Sequence, residues 1–321
     1  MPTCFTALPR AVRCAIQCIV ALLSLALAGC EKSEPEPYAT STEPAALMRV
    51  VFADWSEKRP AEVEVEEGDI SVLETMLVSP EAVVQLTPQA VVLVVSGSPT
   101  DESGTDMASH GTPGNLGAYW FQQREGRWYL SRSKGSFHKT GSHGNAGTVT
   151  TALLDKDTHA LIVESGGCWQ GYCGSWLDIF QVGADSMKRL LRDDAGIALW
   201  ANSSGALENC SEALDDKGVL VPASATGPGD CFDIEGKWSL KARKGYADLV
   251  LTFSGSVVDE TTITPAPAPE TSSPAAEAST PDAEPEEWVT VRSRPVKETA
   301  VYRFANGTYN LVRGKNPIPG F

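Results

Sequence analysis

Positive charge is scarce in this 321-residue chain: 26 Lys and Arg stand against 41 Asp and Glu, for a net charge of −15. That balance argues against a nucleic-acid partner, which needs a basic face to displace counterions. It favours encounter with a cationic one. After residue 30 no apolar run approaches the roughly 20 residues that a membrane-crossing helix requires. There is no Cys-x-x-Cys, which sets aside thioredoxin-like redox chemistry. The Gly-x-Ser-x-Gly elbow of many serine hydrolases is also missing, and a catalytic triad cannot be read from neighbours such as Ser142-His143. Residues 254–287 contain no basic side chain at all.

The N-terminal segment is patterned differently. Met1 to Arg13 carries Arg10 and Arg13 without an acid, and Ala15 to Leu27 is apolar except for Gln17 and Ser24. This is the profile of a signal peptide, too short to remain comfortably as a membrane span. It ends in Leu27-Ala28-Gly29-Cys30, which resembles the lipobox of bacterial lipoproteins. The resemblance implies cleavage before Cys30, a diacylglycerol on its sulfur and a further acyl chain on its new amino group. Two or more acyl chains anchor stably where one is marginal. The expected localisation is therefore the cell envelope, facing the periplasm, with Cys30 an anchor. Glu31 favours the outer membrane by analogy with enteric lipoproteins, while Lys32-Ser33 matches a retention pattern of pseudomonad ones. The stretches "ASHGTPGNLGAYWF" and "YRFANGTYNLVRGKNPIPGF" resemble segments of uncharacterised gammaproteobacterial lipoproteins, a likeness that brings no activity with it.

Removal of residues 1–29 leaves four cysteines besides Cys30: Cys168, Cys173, Cys210 and Cys231. An even number in an oxidising compartment reads as two disulfides. Local pairing is the simplest of three connectivities. A zinc site is the alternative, though neither pair has the two-residue separation of a zinc knuckle. The stretch "GCWQGYCGSW" also concentrates Trp169, Tyr172 and Trp176, which read either as a binding tip on a stapled loop or as rings covering the disulfide and filling the core.

The domain plan follows from composition: a leader (1–29), a polar tether (30–46), a β domain (47–261), a Pro/Ala/Thr-rich insertion (262–287) too poor in apolar bulk to order itself, and C-terminal strands (288–321) that rejoin the β domain. Alternating or β-rich runs recur at 61–66, 82–87, 90–96, 118–122, 128–132, 159–164, 175–182, 237–241 and 247–253. Asn306-Gly307 between "VYRF" and "TYNLV" is the strongest hairpin signal. Only Pro44 to Trp55 reads as a helix, with Leu47, Val50, Val51 and Trp55 on one face. The predicted class is mainly β, an irregular β-sandwich or a propeller-like antiparallel meander with one short N-terminal helix.

Candidate chemistry is thin, and no catalytic residue or cofactor is assigned. His110 lies in "DMASHGTPGNLG", and His138 and His143 in "SFHKTGSHGNAG", all read as Gly/Ser-rich loops. With Asp101, Glu102 or Asp106 these imidazoles have the donor chemistry for zinc or copper. Asp155-Lys-Asp157, Asp193-Asp194 and Asp215-Asp216 lack the alternating ligand pattern of calcium loops and read as turns. The leading expectation is a membrane-anchored binding module for an envelope protein or glycan. Alternatives are an inhibitor or immunity protein against a cell-wall hydrolase, a metal-dependent or hydrolytic enzyme, and an envelope scaffold.

Overall fold

The computed structural model describes residues 36–67, 70–192, 196–206, 210–214, 218–222, 231–258, 263–267 and 287–320. The leader, Cys30 and most of the Pro-rich stretch lie outside the described residues. All elements below belong to the unit Tyr38–Phe321.

The first sheet contains β1 (Tyr38–Ala39), β2 (Ala61–Glu67), β3 (Ile70–Thr87), β4 (Ala90–Pro99), β5 (Gly114–Arg124) and β6 (Arg127–Thr140), hydrogen-bonded in the order β1-β6-β5-β4-β3-β2. The run "AVVLVV" of β4 is apolar at every position because both of its faces are buried. Val92 and Val94 face the second sheet, while Val91, Leu93 and Val95 pack with Tyr119, Phe121 and Trp128 on the other side. There helix α1 (Pro44–Val51) inserts Leu47 and Met48. Pro44 opens this helix, where its missing N–H is no loss. The helix stops at Val51, short of the expected Trp55, whose indole N–H instead reaches the Val78 carbonyl at 2.9 Å.

The first sheet coils until β2 lies beside β6. The two are not paired, but a Cβ at Gly135 would overlap the Glu64 carbonyl oxygen, so only glycine permits the approach.

The second sheet contains β7 (Thr148–Leu153), β8 (His159–Trp169), β9 (Tyr172–Val182), β10 (Met187–Arg189), β11 (Ile197–Asn202), β13 (Phe232–Arg243), β14 (Gly245–Val257), β17 (Arg294–Ala305) and β18 (Thr308–Gly314). It curls around its own core of Ile162, Leu177, Ile179, Leu199, Ile234, Leu251 and Phe253. The curl is closed by hydrogen bonds that each tie an edge of the sheet back to it: Tyr309 N on edge strand β18 to Leu190 O after β10, at 2.8 Å, and Ala247 N on β14 to Leu154 O just after edge strand β7, at 2.5 Å. The opposite face of β8 and β9 offers Leu161, Val163, Phe180 and Val182 to the first sheet, and Trp120 Nε1 bonds Gly183 O across the interface at 2.9 Å. Two coiled antiparallel sheets sharing this buried layer make an irregular β-sandwich rather than the blades of a propeller.

A third sheet, β12 (Val219–Pro222), β16 (Trp288–Val291) and β15 (Ile263–Ala266), packs on the Cys210–Cys231 disulfide together with Ala213 of a second short helix, α2 (Cys210–Leu214). The short N-terminal helix expected is α1, and the five-residue α2 adds a little over one turn to a mainly β fold. Two other expectations change. The start of the Pro-rich stretch, "ITPA", is a strand because β16 supplies the pairing its own composition cannot. The polar tether does not extend to residue 46: Tyr38 and Ala39 pair with Tyr129 and Trp128, and α1 begins at Pro44.

Candidate functional site

The stretch "GCWQGYCGSW" is the tip of the β8–β9 hairpin. Gln170 and Gly171 have φ of 49° and 85°, the left-handed pair of a type I′ turn that matches the twist of the flanking strands. Gly171 is required twice, since a Cβ there would also strike the Gly205 carbonyl group. The turn sets Trp169 opposite Tyr172 and Cys168 opposite Cys173. The two cysteines are bonded, with Cα atoms 4.0 Å apart, and the second disulfide joins Cys210 to Cys231. The four cysteines therefore staple and are not drawn into a metal centre.

The same register carves the cleft. Moving away from the tip, the Trp169–Tyr172 pair is followed on its face by Gly167–Gly174 and then by Ser165–Trp176. The glycine pair puts no side chain between the rings, leaving a notch. Its far wall comes from the 100–113 loop and the turn at Ser142–Asn145. Together His110, Gly111, Ser142, Gly167, Cys168, Trp169, Tyr172 and Trp176 enclose a cavity of about 360 Å³. Trp169 is 60% exposed. The His110 ring lies 5.0 Å from the Trp169 ring at a 32° tilt, with the His143 ring 6.3 Å beyond. Tyr172 leans on Phe232, 6.3 Å between centroids, so the tip is braced by the core of the second sheet.

The 100–113 loop is held by its own polar side chains. Asp101 Oδ1 accepts from Ser103 N at 2.9 Å, Ser103 Oγ at 2.7 Å and Thr105 N at 2.8 Å. The Ser103 hydroxyl, then the Thr105 amide, hold the Asp101 carboxyl below its ordinary value. Ala108 N bonds Asp106 Oδ1 at 2.8 Å, and Gly144 N bonds Thr112 O at 2.9 Å, tying loop and turn together. His110 is thus presented on an ordered scaffold.

Chain and structure part at the histidines. His138 is not in a loop: it is on β6, largely buried, with Nε2 3.4 Å from Asp178 Oδ2. That is ion-pair reach without hydrogen-bond alignment. Asp178 is anchored instead by Arg189 Nε, 2.6 Å from Oδ1. His138 and Asp178 line a smaller cavity of about 170 Å³ that shares Gly167 and Trp176 with the aromatic cleft. Deep in it the Thr140 and Ser165 hydroxyls bond at 2.6 Å. His110, His138 and His143 therefore do not converge, and Asp101 is engaged within its own loop. Among the described residues no group of three or more His, Cys, Asp or Glu side chains is placed to hold a metal. No family model, curated protein or solved structure matches this chain.

Asp178 and Arg189 escaped notice in the sequence, although a signal was there. In "SWLDIFQV" the acid occupies the same face of the strand as Trp176 and Phe180, an inward position where a carboxylate demands a partner. A larger hollow of about 780 Å³ lies between the turns at Asp155–Thr158 and Arg243–Gly245. It lacks aromatic rings, and Asp155 turns its carboxylate inward to the Asp157 amide at 2.9 Å.

Proposed function

We propose that this protein is a lipid-anchored binding module of the cell envelope, and that its ligand seats in the aromatic cleft at the stapled hairpin tip. One observation carries the reading: Trp169, a large apolar ring, stands 60% exposed at the end of a hairpin closed by a disulfide and braced by the core. An exposed apolar ring on a rigid element over a formed cavity is a recognition surface, because little ordering entropy remains to be lost on binding. The lipobox reading of Leu27–Cys30 supports the address, and the polar segment after Cys30 supports a tethered display.

The test is a pull-down from detergent-solubilised envelope with the full-length lipidated protein as bait, alongside its Trp169→Ala variant. A partner or polymer retained by the first and lost by the second is the expected result. Equal recovery by both baits would remove the cleft from the function.

Acidity favours a second reading, inhibition of a basic cell-wall hydrolase. Glu62, Glu64 and Glu66 project from the same exposed face of β2, adding to the net negative charge. Muramidases and amidases left at full activity by micromolar protein would dismiss it.

A further inference from the structure

The class of ligand can be narrowed from the cleft's own chemistry, resting on the reading that the cleft is the binding site. None of its lining side chains is Asp, Glu, Lys or Arg. A phosphate or carboxylate group would find no Lys or Arg there to replace its hydration, which argues against an anion, and an ammonium group would find ring faces but no carboxylate. Nor is the surface simply greasy. The Trp169 indole has an apolar face and an N–H edge, His110 offers one donor and one acceptor on its ring nitrogens, and the Ser142 hydroxyl, which donates to Gly166 O at 3.0 Å, keeps lone pairs to accept.

Apolar face and polar edge together match a ring that is itself apolar on one face and polar around its rim. The notch has the corresponding length: Tyr172 and Trp176 are four residues apart along β9 with Gly174 between them, roughly 14 Å at about 3.4 Å per residue. Its volume, about 360 Å³, is at the small end of ligand pockets, which span roughly 300–1,000 Å³. We infer that the cleft binds a neutral saccharide, one sugar ring laying its C–H face on Trp169 and its hydroxyls against His110 and Ser142.

The experiment is calorimetric titration of the full-length protein in detergent with three probes: tri-N-acetylchitotriose, maltotriose and a proline-rich decapeptide. Saturable binding of at least one saccharide is expected, weakened at least tenfold by Trp169→Ala and less by Trp169→Phe, with thermal unfolding of both variants unchanged. Saccharide binding that survives Trp169→Ala would overturn the inference, as would saturation by the decapeptide alone. Silence from all three probes, with a partner still captured through Trp169 in the envelope pull-down, defeats the saccharide and leaves the binding module standing. Failure of both experiments removes both.

Discussion

His138 Nε2 on β6 stands 3.4 Å from Asp178 Oδ2 on β9, so an imidazole of the six-stranded sheet faces a buried carboxylate of the nine-stranded one. The Asp178 side chain is only 4% exposed, and its firm partner is Arg189 at 2.6 Å. Asp178 and His138 line the small cavity that borders the aromatic cleft through Gly167 and Trp176.

Arg189→Met is expected to destabilise the protein by about 3 kcal/mol, because it strands a buried carboxylate. Asp178→Leu combined with Arg189→Met should recover most of that loss, since no charge is then left unpaired. Urea unfolding of the three proteins measures both effects.

Trp169→Ala is expected to leave stability within about 0.5 kcal/mol of the parent, as an exposed side chain does. Binding through the cleft should fall at the same time. A variant that lost stability and binding together would mark Trp169 as a structural residue instead.

The two disulfides should separate in the same way. Replacing both Cys168 and Cys173 by Ser opens a loop of sequence separation 5, and replacing Cys210 and Cys231 one of 21. Chain entropy predicts losses of about 2 and about 3 kcal/mol respectively. The smaller loss should carry the larger effect on ligand affinity, because it frees the tip that holds Trp169. Chemical unfolding and titration of each double variant compare the two.

Gly135→Ala should cost more than about 2 kcal/mol, since the new methyl must push back the Glu64 carbonyl where β2 lies beside β6. Gly126→Ala, at an open turn with nothing near its Cβ, tests the contrast: its positive φ of 76° is the only source of strain. The ratio of the two losses, from denaturant curves, reports how tightly the first sheet is coiled.

Stability should fall at both extremes of pH for identifiable reasons. The Arg303 guanidinium, bonded to Asp248 at 2.7 and 3.0 Å, holds that carboxyl below its ordinary value. A depressed folded value means the contribution is present above the unfolded value of about 3.9 and is lost as pH falls through the lower, folded one. Arg303→Met should therefore flatten the acid limb of the stability curve. Burial pushes the Tyr309 hydroxyl up, and it donates to Ala247 O at 2.9 Å. Its contribution is present below about pH 10, where the unfolded tyrosine ionises, and declines above that. Tyr309→Phe should cost about 1 kcal/mol at neutral pH and remove part of the alkaline decline. Thermal unfolding at stepped pH checks both limbs.

Local chemistry alone was enough for much of this molecule. Asn306-Gly307 makes its turn with φ of 55° and 88°, as its residue types require, and the continuous apolar run of β4 announces burial on both faces. Cys168 and Cys173 lie close enough in the chain to pair across a two-residue turn. Contacts between distant segments decided the rest. "ITPA" is a strand only because β16 returns beside it after the Pro-rich stretch. His138 leaves its expected loop because β6 continues through Thr140, pairing Leu116 with His138 and Gly114 with Thr140. The cleft is likewise tertiary: the period of a strand sets Gly167 and Gly174 between aromatic pairs, but only folding brings His110 and Ser142 across to face them. Spacing along a chain fixes which side chains share a face, whereas the partner of that face is chosen by burial and pairing over separations that no short motif records.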